Sequence, residues 1–217
     1  MRKKHYLCNS MAKSRDDVLQ HTEQAKERIV EMATRMFHTH GIKSVRMDDI
    51  AKALSMSKRT LYLLYSNKQE LLSEVVKHHE ARRRALFNRM QAESENVIDV
   101  LLGAYQVLLA ETKNVNPLFF EELEIYPEIL SMIRCNHRDH LQQTTDLFHK
   151  GVEEGYLRKD LNFNILQMLF EASTKYLFSD QQYKKYSVEE LFRSYVFTFL
   201  RGMCTAEGLK WLDDHDR

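Results

Sequence analysis

The first run of candidate buried positions begins at Leu19 and Thr22, with helical spacing from Ile29 onward. It settles into a regular stripe through Ile29, Met32, Ala33, Met36 and Phe37. Asp16 or Asp17 is the predicted start of this helix, placing negative charge where the dipole favours it. Gly41 is its predicted end, able to take the left-handed backbone of a helix terminus. The next stretch, MDDIAKALSMSKRTLYLLYSNKQELL over 47–72, reads as two short helices, a tight turn and the opening of a long helix. Ile50, Ala51 and Leu54 form one apolar face, and Leu61, Leu64 and Tyr65 another. Ser55-Met56-Ser57 makes the bend, and the Ser57 hydroxyl can cap the helix after it.

Farther along, Asn67-Lys68-Gln69-Glu70 opens a helix with a core face of Leu71, Leu72, Val75, Val76 and His79. Its outer face carries Arg82-Arg83-Arg84, read as solvated. Val97 to Ala110 is apolar almost all round, as befits a helix inside a bundle. Pro117 and Pro127 each stand where a helix can begin, because a first-turn N–H is not needed. They predict a short helix over 117–124 and a long one from 127 to about 154, closed by Gly155. Two more helices are predicted, Phe163 to about Phe178 and Val188 to about Gly208, on either side of the polar loop 179–187.

The chain of 217 residues has 6 Gly and 2 Pro, too few for a turn-rich β fold. The expected fold is all-α, with about nine helices. Formal net charge is only +1, but it is unevenly placed. Residues 1–79 hold 15 Lys and Arg against 9 Asp and Glu, leaving 17 against 22 in 80–217. A basic N-terminal third therefore meets the polyanion, if one is met. Residues 1–15 read as a flexible basic tail, 16–67 as a domain built on the two short helices, and 68–217 as a second helical domain.

Lys58, Arg59, Thr60 and Tyr62 occupy the outward side of the second short helix. A helix-turn-helix with a basic, hydroxyl-bearing second helix suits a DNA major groove. Arg59 is the first choice for base reading, since a guanidinium can bond guanine O6 and N7 together. Arg46 is a phosphate candidate, and Lys68 sits at a helix N-terminus, whose dipole also attracts phosphate. If Arg46, Lys58, Arg59 and Lys68 all neutralise phosphates in a dimer, log K should fall against log salt with a slope of roughly −7. Cys8, Cys135 and Cys204 are widely spaced and odd in number, consistent with reduced thiols in a cytoplasmic protein. The N-terminus lacks the apolar stretch of a secretory signal, no stretch approaches a membrane span, and no membrane partner is expected.

The order and spacing of Ile29, Phe37, Gly41, Asp49-Ile50-Ala51, Ser57-Lys58-Arg59-Thr60-Leu61-Tyr62, Tyr65, Lys68 and Glu70-Leu71-Leu72 resemble the DNA-binding domain of the TetR-type bacterial transcriptional regulators. The resemblance covers more than forty residues; beyond them it is one of architecture only. It implies a transcriptional regulator, repression being the commoner mode, that binds palindromic double-stranded DNA as a homodimer and answers a small-molecule effector. It also implies that Tyr62 and Lys68 are phosphate anchors, beside Arg46, Ser57, Lys58, Arg59 and Thr60 on the DNA face. The chain departs from the family in three places. Ser55 stands where a turn glycine is common, so the turn asks for a backbone angle serine tolerates less well. Val45 and Arg46 replace a capping hydroxyl, which weakens that cap or shifts it to Ser44. Leu63 and Leu64 replace a polar or aromatic pair and are not carried over as DNA contacts.

The last helix bears an apolar band too wide for one neighbour. With the resemblance it implies a two-fold four-helix interface of Phe163, Leu166, Phe170, Leu191, Phe192, Tyr195, Val196, Phe199, Leu200 and Met203. An inducer pocket is expected among Leu108, Phe119, Phe120, Tyr126, Ile133, His137, Phe148, Phe170 and Tyr176. The competing readings are a helical protein-interaction adaptor and a metal-dependent enzyme using His137 and His140. The first leaves the basic N-terminal helices unexplained. The second lacks any HExxH, phosphate loop or nucleophile turn. Neither catalytic residue, metal nor cofactor is expected.

Overall fold

The computed structural model describes residues 3–112, 115–179 and 185–215, with side chains described from Gln20 onward except at 112, 134–141, 174–175, 177–179, 188 and 192. Among the described residues it contains ten helices. These are α1 Lys3–His40, α2 Met47–Ala53, α3 Lys58–Leu64, α4 Lys68–Glu93, α5 Val97–Thr112, α6 Pro117–Leu123, α7 Pro127–Glu153, α8 Phe163–Ser179, α9 Val188–Met203 and α10 Ala206–His215. The protein is all-α. It divides into two compact units, 1–78 and 79–217, with the division inside α4. The sequence pattern sets a boundary at 67/68. The first turns of α4 bury Leu71, Leu72, Val75 and Val76, which keeps that segment with the N-terminal unit.

In the N-terminal unit, α1 opens at Lys3 rather than at Asp16 or Asp17. Neither Gly nor Pro interrupts the chain before Gly41, so nothing in the covalent chain stops the helix propagating. Ile29, Val30, Ala33 and Phe37 are buried along it. Gly41 ends it at φ 79°, its N–H donating to the Phe37 carbonyl at 2.9 Å. Ile42, Val45, Met47, Ile50, Ala51, Leu61 and Tyr65 complete this small core. Burial, with Glu74, Glu23 and Glu70 nearby, pushes the Tyr65 phenol up to about 12.

The bend between α2 and α3 turns on Ser55, at φ 53° the sole non-glycine residue with positive φ among those described. A side chain in this region crowds the following carbonyl and costs about 1–2 kcal/mol. Ser55→Gly removes that strain but loosens the unfolded chain. The net expectation is a gain of about 0.5–1 kcal/mol, read as a raised urea midpoint at unchanged slope.

In the C-terminal unit, one core gathers Val97, Ile98, Val100, Leu102 and Tyr105 of α5, Leu147 and Phe148 of α7, Leu157, Leu200 and Met203 of α9, Cys204, and Leu212 of α10. Asn96 is the buried polar residue at the start of α5. Its Oδ1 accepts from the N–H groups of Ile98 (2.8 Å) and Asp99 (3.2 Å), meeting donors that a helix start leaves free. The Val97 N–H donates to Glu154 Oε2 at 2.9 Å, tying this helix start to the end of α7. Asn116 caps α6 ahead of Pro117, and Gly155 follows α7 at φ 82°. His79 is half-buried with Nε2 3.5 Å from Glu111 Oε2; burial lowers its pKa against the pull of that carboxylate.

The expected final helix is two helices. It breaks at Cys204-Thr205, where the chain pairs with the segment after α7. Arg158 N–H donates to the Met203 carbonyl and Thr205 N–H to the Tyr156 carbonyl, both at 2.9 Å. Thr205 Oγ1 donates to the Gly155 carbonyl at 2.8 Å and accepts from the Gly208 N–H at 3.2 Å, capping α10. Gly208 thus lies inside α10 and terminates nothing. Trp211 anchors the same helix to α5 by donating to Asp99 Oδ1 at 2.8 Å. Cys204 is a buried free thiol, pushed up to about 11 by burial, which keeps it protonated and unreactive.

Candidate nucleic-acid interface

Both short helices are held by local chemistry. Ser57 caps α3, its Oγ accepting from the Thr60 N–H at 3.1 Å. The capping hydroxyl also lies 2.8 Å from Thr60 Oγ1. Two of the hydroxyls expected on the DNA face are therefore hydrogen-bonded to each other. If Thr60 donates, the Ser57 hydroxyl proton remains available. The cap of α2 is the weakened one of the two alternatives, without a side-chain cap bond. Arg46 is its N-cap and its N–H donates to Asp49 Oδ2 at 3.1 Å. A guanidinium has no acceptor, so the reciprocal half of a capping box is missing. Ser44 does not cap; its hydroxyl bonds back to the His40 carbonyl at 2.7 Å.

α3 buries Leu61, while Lys58, Arg59, Thr60, Tyr62 and Leu63 face solvent. Lys58 forms an ion pair with Asp48 of α2. The hydrogen bond and charge of Asp48 raise its pKa, so it stays cationic, with an acidic partner already in place. Asp48 was not anticipated, because the pairing needs α2 and α3 folded against each other. Arg59, Tyr62 and the Arg46 guanidinium have no hydrogen-bond or ion-pair partner among the described residues.

Lys68 turns inward. Its ammonium donates to the carbonyls of Ile42 (2.8 Å), Val45 (3.0 Å) and Lys43 (3.3 Å). These carbonyls belong to the loop after α1, which has no helix to satisfy them, and three ammonium protons fit three acceptors. The side chain is thereby a clasp on the loop that positions α2. Behind it, α4 is capped by Asn67, whose Oδ1 accepts from the Glu70 N–H at 2.9 Å. Glu70 Oε2 accepts from the Ser66 N–H (2.7 Å) and hydroxyl (2.6 Å), which lower its pKa.

In the C-terminal unit the expected interface residues are largely spent within the subunit. Leu200 and Met203 are buried in the core, and Phe163, Leu166 and Val196 pack against it. Phe170 stacks on Tyr195 and meets Phe199 edge-to-face, with Tyr195 O–H donating to the Phe170 carbonyl at 2.9 Å. Leu191 is half-buried, and the Phe192 side chain lies outside the described residues. The wide band of α9 reflects two neighbours inside the same chain. Exposed apolar surface lies instead on α8: Ile165, Met168 (61% exposed), Leu169 and Tyr176. Their spacing places them along one side of a helix, a signal already present in the sequence.

None of the residues expected in the pocket borders the cleft found among the described residues of this unit. Phe148 is buried and stacks flat on Phe163, ring centres 4.6 Å apart. Phe119 is buried edge-to-face with Phe120 at 5.5 Å. Leu108, Tyr126 and Ile133 are half-buried, and Phe170 belongs to the aromatic trio above. Tyr176 is exposed on α8. The side chains of His137 and His140 lie outside the described residues. The cleft, of about 360 Å³, is bordered by Thr145, His149, Asp160, Leu161, Asn162, Phe163 and Asn164. Among the described residues no helix is long and apolar enough to cross a membrane.

A capped helix-turn-helix that presents a guanidinium, Arg59, to solvent on its second helix has the form of a DNA-binding module. Residues 29–75 match the family model described as bacterial regulatory proteins, tetR family. The chain is 20% identical over 167 residues to the HTH-type transcriptional repressor KstR2 of Mycobacterium tuberculosis, covering 73% of this chain and 82% of the relative. It is 21% identical over 194 residues to the HTH-type transcriptional regulator UidR of Escherichia coli, covering 88% and 98%. A TetR-family regulator structure from Agrobacterium tumefaciens shares the fold with a TM-score of 0.68 and 15% identity, covering 85% of this chain and all of that one (100%). Residues 29–75 therefore carry a DNA-binding domain of the tetR type, and the protein is a DNA-binding transcriptional regulator.

Proposed function

We propose that the protein is a ligand-responsive repressor that binds a palindromic operator as a homodimer, with Arg59 as the base reader in each half-site. The observation carrying this is the unpartnered Arg59 guanidinium on the solvent face of α3, flanked by Tyr62. Arg46 and Tyr62 take phosphates, and Ser57, Lys58 and Thr60 hold α3 in register. A KstR2 relative named as a repressor favours repression. Effector control works by population shift: a ligand that prefers the dimer with mismatched recognition helices lowers operator affinity by its differential binding free energy.

Selection of bound duplexes from a random pool tests this directly. A two-fold symmetric sequence is expected, and failure to enrich any sequence would overturn the reading. Titrating salt against the selected operator then counts cations. With Lys68 clasped to carbonyls, Lys58 held by Asp48 and Arg59 on a base, the Arg46 side chains of two subunits give a slope of about −2, not the −7 of four phosphate-bound cations per subunit. A slope near −7 would mean that both lysines leave their protein partners for phosphate and that Arg59 takes one as well.

The dimer face is the exposed α8 stripe of Ile165, Met168, Leu169 and Tyr176, related to its copy by a two-fold axis. Met168→Glu places a charge in the middle of that stripe. The expected result is a monomer by sedimentation at micromolar concentration, with unchanged far-UV dichroism and lost operator binding. A Met168→Glu protein that remains dimeric would place the interface elsewhere.

A further inference from the structure

Leu63 is 75% exposed, the most exposed large apolar side chain among the described residues. It stands on a seven-residue helix whose other outward positions are charged or hydroxyl-bearing. Arg59 precedes it by four residues, so the two side chains are neighbours on one helix face. Leu61 and Tyr65 are buried on the opposite side, so the groups that project are Arg59, Tyr62 and Leu63. Every base pair of a B-DNA major groove displays hydrogen-bonding groups, but only thymine adds an apolar one, its C5-methyl. A leucine that offers no hydrogen bond has one favourable partner there.

We propose that Leu63 reads a thymine methyl in each half-site, making it a specificity residue beside Arg59. This rests on α3 being the recognition helix. Side chains four apart on a helix have Cβ atoms about 6 Å apart, and bases on one strand rise by about 3.4 Å. The thymine therefore lies within about two base pairs of the guanine that Arg59 contacts. Reading is by exclusion of water from methyl and leucine together. It discriminates thymine from cytosine and from uracil, which lacks the methyl.

The test uses the full-length protein and the operator obtained by selection, with each thymine replaced in turn by deoxyuridine. That change deletes a methyl group and leaves base pairing intact. One position per half-site is expected to weaken binding about fourfold, and both together about 15-fold, the worth of a buried methyl-sized group. Leu63→Ala should bind the thymine and uracil operators equally while keeping its preference for the Arg59 guanine. Because Leu63 is exposed, its thermal melting should match the parent protein. Uracil tolerated at every thymine by the parent protein, with operator binding intact, would overturn the proposal. So would a Leu63→Ala protein that still distinguishes thymine from uracil, or one weakened equally on all duplexes. If no duplex is enriched at all, the operator reading fails, and the thymine assignment fails with it.

Discussion

Arg59→Ala is expected to weaken operator binding by about 1–3 kcal/mol in each half-site, or about 2–6 kcal/mol for a dimer. That is a factor between roughly 30 and more than 10⁴ in Kd. The size follows from geometry: a bidentate guanidinium lost from a desolvated groove leaves two guanine acceptors without donors. Arg59 has no hydrogen-bond or ion-pair partner among the described residues to compensate, and its removal leaves the caps and core of the N-terminal unit untouched. The discriminating measurement is anisotropy on the operator and on its single-base variants. Binding should become indifferent to one base pair per half-site, and Arg59→Lys should not restore the preference, because an ammonium cannot form the fork. An equal loss on all sequences would make Arg59 a phosphate anchor.

Gly208→Ala is expected to destabilise the C-terminal unit by about 3 kcal/mol, the upper range for overpacking. A Cβ at this position would fall 2.3 Å from the Tyr156 carbonyl oxygen and 3.2 Å from Cys204 Cβ. The obstacle is backbone, and that same carbonyl is held by the Thr205 N–H, so it cannot swing aside without breaking the junction before α10. Melting should fall by roughly 6–12 °C. Gly202 is the internal control: a Cβ there meets nothing within 4 Å. Gly202→Ala should raise stability by up to about 1 kcal/mol through helix propensity alone. If both substitutions behave alike, close packing of α10 on the Tyr156 segment is not what Gly208 serves.

Local chemistry was readable wherever a residue's role depended on its immediate neighbours. Ser57 caps α3, Gly41 and Gly155 take positive φ after their helices, and Ser55 takes the strained turn angle that glycine would hold without cost. Each of these follows from the needs of a helix end, which extend over three or four residues. Ser44 is an instructive exception: as a capping hydroxyl it looked suitable, yet it bonds back to His40, leaving Arg46 as the N-cap.

Roles that depend on distant parts of the chain were not readable. Lys68 looked like a phosphate anchor from its place at the start of a helix. The carbonyls it meets lie more than twenty residues earlier and converge only when the loop after α1 folds over it. Lys58 and Asp48 are ten residues apart and meet only across the α2–α3 turn. The break between α9 and α10 has no Pro to announce it, and Gly202 stays inside α9; hydrogen bonds from the segment after α7 compete there with helix propagation.

The sequence by itself determined that this protein is helical, that a helix-turn-helix lies near its N-terminus, and that Arg59 stands on the outward face of the second helix. Those properties rest on periodicity and on neighbouring residues. Only the tertiary structure decided which cations remain free and which apolar residues remain exposed. Lys58 and Lys68 are engaged, Leu200 and Met203 are buried, and Leu63 and the α8 stripe are left in water. Both outcomes depend on which segments come to lie side by side. Periodicity shows that a side chain is apolar and which way it points, but not what will cover it.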